Sequence, residues 1–146
     1  MRQVALFVLF LSLSGLANAQ CAARIEVGDA LKYSITDIAV DGECQDFSIE
    51  LVHTGSLPSI AMGHNWVLST MDDVDPIAQA GIQAGAENNY LSKDDGRVIA
   101  ATKLIGGGEQ DKITFSLTNL EKGKQYAFFC SFPGHTSMMR GTFVVG

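Results

Sequence analysis

Between residues 31 and 118 apolar and polar residues repeatedly alternate one by one. Leu31, Tyr33 and Ile35 are separated by Lys32 and Ser34, Phe47, Ile49 and Leu51 by Ser48 and Glu50, and Ile113, Phe115 and Leu117 by Thr114 and Ser116. A period of two puts successive side chains on opposite faces of an extended chain, so each run can bury one face and wet the other. The stretches "NWVLS", "GRVIA", "QYAFFC" and "GTFVV" are four further β-rich runs, and "VDGE", "KDDG", "GGGE" and "EKGK" supply turn residues between strands. Many short strands at this spacing predict an all-β chain, an antiparallel Greek-key β-sandwich or barrel. Only residues 72–89, "DDVDPIAQAGIQAGAENN", break the pattern. Asp75 followed by Pro76 reads there as an N-cap and first helical position, opening a helical flap that Gly81 and Gly85 weaken and that must lean on the sandwich.

The first nineteen residues stand apart from this pattern. Arg2, an apolar run from Val4 to Leu13 interrupted only by Ser12, and Ala17-Asn18-Ala19 have the form of a secretory signal with a small-residue cleavage site. The run is shorter than the roughly 20 residues a spanning helix needs. A mature chain of residues 20–146 is then expected, exported and not stably associated with a membrane, with room for one core. Sixteen acidic against ten basic residues give a net charge of −6, which argues against nucleic acid as a partner.

Export leads to an oxidising compartment, where an odd number of cysteines needs explaining. The chain has three. Cys21 and Cys44 form the natural disulfide because they flank the first strand region and leave Cys130 beside a histidine and a methionine. Spacing alone leaves the two pairings that consume Cys130 open.

Cys130, His135 and Met139 are spaced C-x4-H-x3-M in a loop between "QYAFFC" and "GTFVV". Thiolate, imidazole and thioether together are a soft donor set that selects copper over magnesium, calcium or manganese. His64, in "MGHNW" before another strand, is the candidate for the second imidazole. Two histidines and a cysteine in a plane with a methionine on the axis suit both Cu(I) and Cu(II). Four protein ligands leave no open position for substrate, so the arrangement fits a carrier of electrons rather than a catalyst.

These residues carry a family resemblance. In "MGHNWVLST", "GRVIA", "TKLIG" and "FFCSFPGH" with its following Met139-Arg140-Gly141, the sequence resembles the azurins, the small periplasmic blue-copper cupredoxins of Gram-negative bacteria, along nearly the whole mature chain. The resemblance implies a cupredoxin copper-binding domain over residues 20–146, with one type 1 copper. His64, Cys130 and His135 would be equatorial ligands, Met139 a long axial ligand, and the Gly63 carbonyl a weak axial one. Asn65 would tie the ligand loops together, and backbone donors around Ser131 and Phe132 would hydrogen-bond the thiolate. Leu57, Ala61, Met62, Ile82, Phe132 and Met138 would surround the His135 edge as a docking patch. Implied partners are a c-type cytochrome and a nitrite reductase or similar periplasmic oxidoreductase, met by a monomer.

Two residues receive plainer readings. His53 is expected to be a partly buried, hydrogen-bonded histidine, and Trp66 an inward-facing core aromatic. Two other functions use the same residues: copper storage or delivery, which needs readily exchanging ligands, and an immunoglobulin-like binding module in which Cys130 is structural.

Overall fold

The computed structural model describes residues 20–146, and the expected signal at 1–19 lies outside them. Two sheets face each other. One contains β1 (Ala22–Val27), β3 (Asp46–His53) and β6 (Gln110–Ser116) in the order β1-β3-β6; the other contains β2 (Asp37–Val40), β8 (Arg140–Val145), β7 (Gln125–Phe129), β4 (Val67–Thr70) and β5 (Ala100–Ala101), in that order. The pairing is mixed rather than wholly antiparallel, since β1 runs parallel to β3 and β2 parallel to β8. A disulfide joins Cys21, just before β1, to Cys44, just before β3. No helix among the described residues is long and apolar enough to cross a membrane.

Alternation places the core. Phe47, Ile49 and Leu51 of β3 point inward with Ile25 of β1, and meet Trp66, Leu68, Phe128 and Phe143 from the other sheet. Phe47 packs edge-on against Phe143 at 5.4 Å between ring centres, and the Trp66 ring stacks on Phe128 at 5.6 Å, in the offset or tilted geometries aromatic pairs favour. Trp66 therefore takes its expected core place. Its Nε1 has no hydrogen-bond partner among the described residues.

The five-stranded sheet is also covered on its outer face. There Val67, Ala127 and Phe129 pack against Val74 and Ile77 of a helix, Val74–Ala84. With a short helix at Ser59–Met62 as α1, this one is α2. Its cap differs from the sequence expectation: Asp73 is the N-cap, and Pro76 stands third in the helix, where its missing N–H is still one of the unpaired first-turn donors. A 3-10 turn at Met71–Asp73 starts the helix two residues early and makes the difference. Gly81 is a close-approach residue, because a Cβ there would run into the Tyr90 carbonyl. Gly85 ends the helix at φ +76° with its N–H on the Gly81 carbonyl.

The run Leu31–Ile35 forms no ladder. Its burial alternates as the sequence indicates, with Tyr33 buried and Lys32 and Ser34 exposed, yet the Ser34 hydroxyl accepts the Glu26 N–H and the Ser34 N–H bonds the Glu26 carbonyl. A side chain replaces the backbone as partner, and the strand never starts. Of "GRVIA" only Ala100 enters a ladder, in the two-residue β5.

Candidate metal centre

Strand pairing decides which loops meet. β4 and β7 are antiparallel with Val67 opposite Phe129, so His64, before β4, and Cys130, after β7, come to the same end of the sandwich. The His64 backbone is pinned by reciprocal bonds with Ile105, at 3.0 and 2.9 Å. The loop after Cys130 folds back in tight turns: the His135 N–H bonds the Phe132 carbonyl, the Met138 and Met139 N–H groups both bond the His135 carbonyl, and the Cys130 N–H closes the loop on the Met139 carbonyl. Gly134, at φ +83°, makes the sharp step before His135 that a side chain would resist.

His64, Cys130 and His135 form the only three-donor cluster of His, Cys, Asp or Glu found among the described residues, with their donor atoms all within 4.8 Å of one another. The Cys130 Sγ lies 3.9 Å from the His64 Nδ1 and 3.7 Å from the His135 Nδ1. Bonds of about 2.3 Å to sulfur and about 2.0 Å to nitrogen, usual for zinc, set these donors about 3.7 Å apart at 120° around an ion and about 3.5 Å apart at the tetrahedral angle. The spacing is that of donors converging on one ion, and two imidazoles with one thiolate are the donor types of a blue-copper site. The Gly63 carbonyl oxygen is 4.0 Å from the same sulfur, and Met139 is fully buried at the end of the loop.

The rings are prepared for this task. The His64 Nε2–H donates to the Gly28 carbonyl at 2.8 Å, which leaves Nδ1 bare toward the sulfur. Burial, partly opposed by that bond, lowers the His64 pKa. His135 is pushed down to about 4 by burial and then by the neighbouring His64. Both imidazoles are thus neutral potential donors at neutral pH. Burial drives the Cys130 thiol up to about 11, against the pull of backbone bonds from Asn65 and Phe132. A buried lone thiolate is costly, and a bound cation supplies the charge that burial denies it.

The sulfur's donors differ in one respect from the sequence expectation. Phe132 is one; the other is Asn65, while the Ser131 N–H is taken at 2.9 Å by the Asn65 side-chain carbonyl. The Asn65 amide also donates to the Ser131 hydroxyl and to the Asn89 carbonyl, at 2.8 and 2.9 Å. Asn89 adopts φ +57°, a left-handed conformation that asparagine tolerates well, and its side chain accepts the Leu104 N–H. Sequence reasoning does not find its part in the network, although "NNY" after the flap is the signal for such a turn. Tyr33 is missed as well: its buried hydroxyl donates to the Asn65 carbonyl at 2.5 Å.

His53 is completely buried, more so than expected. Its Nδ1 accepts the Gly55 N–H at 3.1 Å, its Nε2–H donates to the Met62 carbonyl at 3.0 Å, and its ring stacks 5.2 Å from that of His64. Toward solvent, the Phe132 ring lies 4.4 Å from the His135 ring, which is 6% exposed. Leu57, Ala61, Ile82 and Met138 are exposed and Met62 and Phe132 half-buried; Ile60 of α1, at 78% exposed, is a further apolar residue that the expected patch leaves out.

A model of the copper-binding proteins of the plastocyanin/azurin family matches residues 19–146. The chain belongs to this family. It is 50% identical to the azurin of Pseudomonas fluorescens biotype A over 87% of this chain and 99% of that one, and 48% identical to the azurin of Alcaligenes faecalis over 86% and 98%. A solved azurin from the methylotroph Methylomonas sp. strain J superposes with a TM-score of 0.84 at 44% identity, covering 88% of this chain and 99% of that one. The two-sheet architecture is thus a cupredoxin fold, and copper is the cofactor of the family and of this chain.

Proposed function

We propose that the protein is a periplasmic carrier of single electrons, with residues 1–19 as the export signal and residues 20–146 as the cupredoxin domain. His64, Cys130 and His135 would hold the copper, with Met139 and the Gly63 carbonyl as weaker ligands. The observation that carries the reading is the preformed donor set, buried and made of two imidazoles and one thiol. When bound there, copper supplies a Cu(II)/Cu(I) couple.

The chain contributes rigidity. Gly28 and Ile105 hold His64, the Asn65–Ser131–Asn89 bonds lock the two ligand loops, and the closed 130–139 loop fixes the rest. Donors that stay in place between oxidation states keep reorganisation small, which is what fast electron exchange requires. The same rigidity speaks against metal delivery, and the donor cluster against a purely structural Cys130.

Leu57, Ala61, Met62, Ile82, Phe132 and Met138 form the docking face around His135, the point of electron entry and exit. A small apolar face gives the weak, short-lived contact that redox encounters need. Partners are a c-type cytochrome and a nitrite reductase or similar oxidoreductase. The test is a Cu(II) titration of the mature chain, followed through ascorbate reduction and ferricyanide reoxidation. An intense visible thiolate-to-copper band that bleaches and returns, and that Cys130→Ser lacks, is expected; a colourless or irreversibly reduced complex would exclude the carrier role. Met62→Lys should slow electron exchange without changing the band.

A further inference from the structure

Three sulfur atoms share the loop from 130 to 139, and they differ sharply in access. Cys130 and Met139 are completely buried, whereas Met138 is 66% exposed. Its backbone is tied to the port, with its N–H on the carbonyl of His135 at 3.0 Å. Among the exposed large apolar side chains only Met71, at 49%, also carries a thioether, and it lies in a groove with Val74, Ala127 and Thr142 on the helix-covered side of the sheet. An exposed thioether is the apolar side chain most easily oxidised, and its sulfoxide is polar.

We propose that Met138 is an oxidation site for hydroperoxides, and that its sulfoxide closes the electron port. The inference rests on the docking face proposed above. In the step, the thioether sulfur attacks the peroxide: an S–O bond forms as the O–O bond breaks, sulfur gives up two electrons, and hydrogen peroxide leaves as water carrying both protons. Burial keeps the same oxidant from Cys130 and Met139, so the ligand set survives while the rim of the port gains a strong dipole. Docking must then strip water from a sulfoxide that finds no partner on an apolar face, which should slow exchange about tenfold or more.

The experiment uses the copper-loaded mature chain carrying Met71→Leu, treated with dilute hydrogen peroxide. Peptide mass mapping locates the added oxygen, visible absorption monitors the site, and NMR line broadening in mixed Cu(I)/Cu(II) samples gives the self-exchange rate. The expected result is one oxygen at Met138, an unchanged visible band and a rate lower by about tenfold or more; Met71→Leu with Met138→Leu should keep its rate through the same treatment. Oxidation at Met139 or Cys130 before Met138, an unchanged rate with Met138 oxidised, or an equal loss in the double variant would overturn the proposal. Untreated Met62→Lys and Met138→Lys separate it from the reading beneath it. If neither slows exchange the docking face itself is wrong, whereas if both do and the sulfoxide does not, only this inference fails.

Discussion

Metal binding by this chain should displace between about one and about two protons at mildly acid pH. The perturbation is addition of one equivalent of Cu(II) to the metal-free protein at about pH 6. Burial has pushed the Cys130 thiol up to about 11, so at this pH it is protonated in essentially every molecule and must release its proton to bind. His135 has been pushed down to about 4 and enters neutral, and burial holds His64 below its ordinary value, so that ring brings less proton than a free imidazole. Two imidazoles at their ordinary value of about 6.5 would instead be about three-quarters protonated at about pH 6 and would add about 1.5 protons, for a total of about 2.5. A pH-stat or a weakly absorbing indicator counts the protons directly. The corresponding affinity should tighten about tenfold per pH unit between about pH 6 and about pH 9, about 1.4 kcal/mol per unit. A count near zero would mean that the thiol is already ionised, and a count near two and a half that burial does not neutralise the rings. Either would refute this account of the metal-free site.

Further outcomes follow from the packing. Removing the Cys21–Cys44 bridge, which spans 23 residues, should cost about 3 kcal/mol and lower the melting temperature by about 10 °C while leaving the copper band unchanged, as calorimetry and absorption would record. Tyr33→Phe strands the buried Asn65 carbonyl and should cost about 1–2 kcal/mol in denaturant titration, with copper still bound. Gly81→Ala should destabilise by about 1–3 kcal/mol despite alanine's better helix propensity, because its Cβ meets the Tyr90 carbonyl. Acid should weaken the metal-free protein between about 6.5 and about 4: as pH falls the unfolded chain takes up the His135 proton before the folded one does, so folding stability declines over that window. A flat stability profile from neutral pH to pH 4 would contradict it.

Some of these features are legible in the order of the residues alone. The alternation in Phe47–Leu51 and Ile113–Leu117 reports burial, and there burial and ladder coincide. In Leu31–Ile35 it reports burial alone, because period two says which face is wet and nothing about where the backbone bonds go. The loop spacing of Cys130, His135 and Met139 is informative because a short loop cannot separate its own residues. His64 lies 66 residues from Cys130 and reaches it only through the β4–β7 register, which spacing along the chain does not encode. Least visible are groups that act through the backbone. The Gly28 carbonyl orients His64, the Asn89 carbonyl receives both Asn65 and Ser131, and Gly81 admits Tyr90; residue type does not reveal such contacts. The expected Asp75 cap fails for a related reason, since a preceding 3-10 turn moves the helix start to Val74 without any change in composition.

An electron carrier keeps its copper in one ligand cage through both oxidation states. X-ray absorption at the copper edge, recorded on the loaded protein before and after ascorbate, reads that cage in both states. One sulfur and two nitrogen neighbours are expected in both spectra, with distances changing by no more than about 0.2 Å. Loss of a nitrogen or sulfur neighbour on reduction, or gain of an oxygen from water, would show a site that opens as it cycles and would contradict the assignment of this chain as an electron carrier.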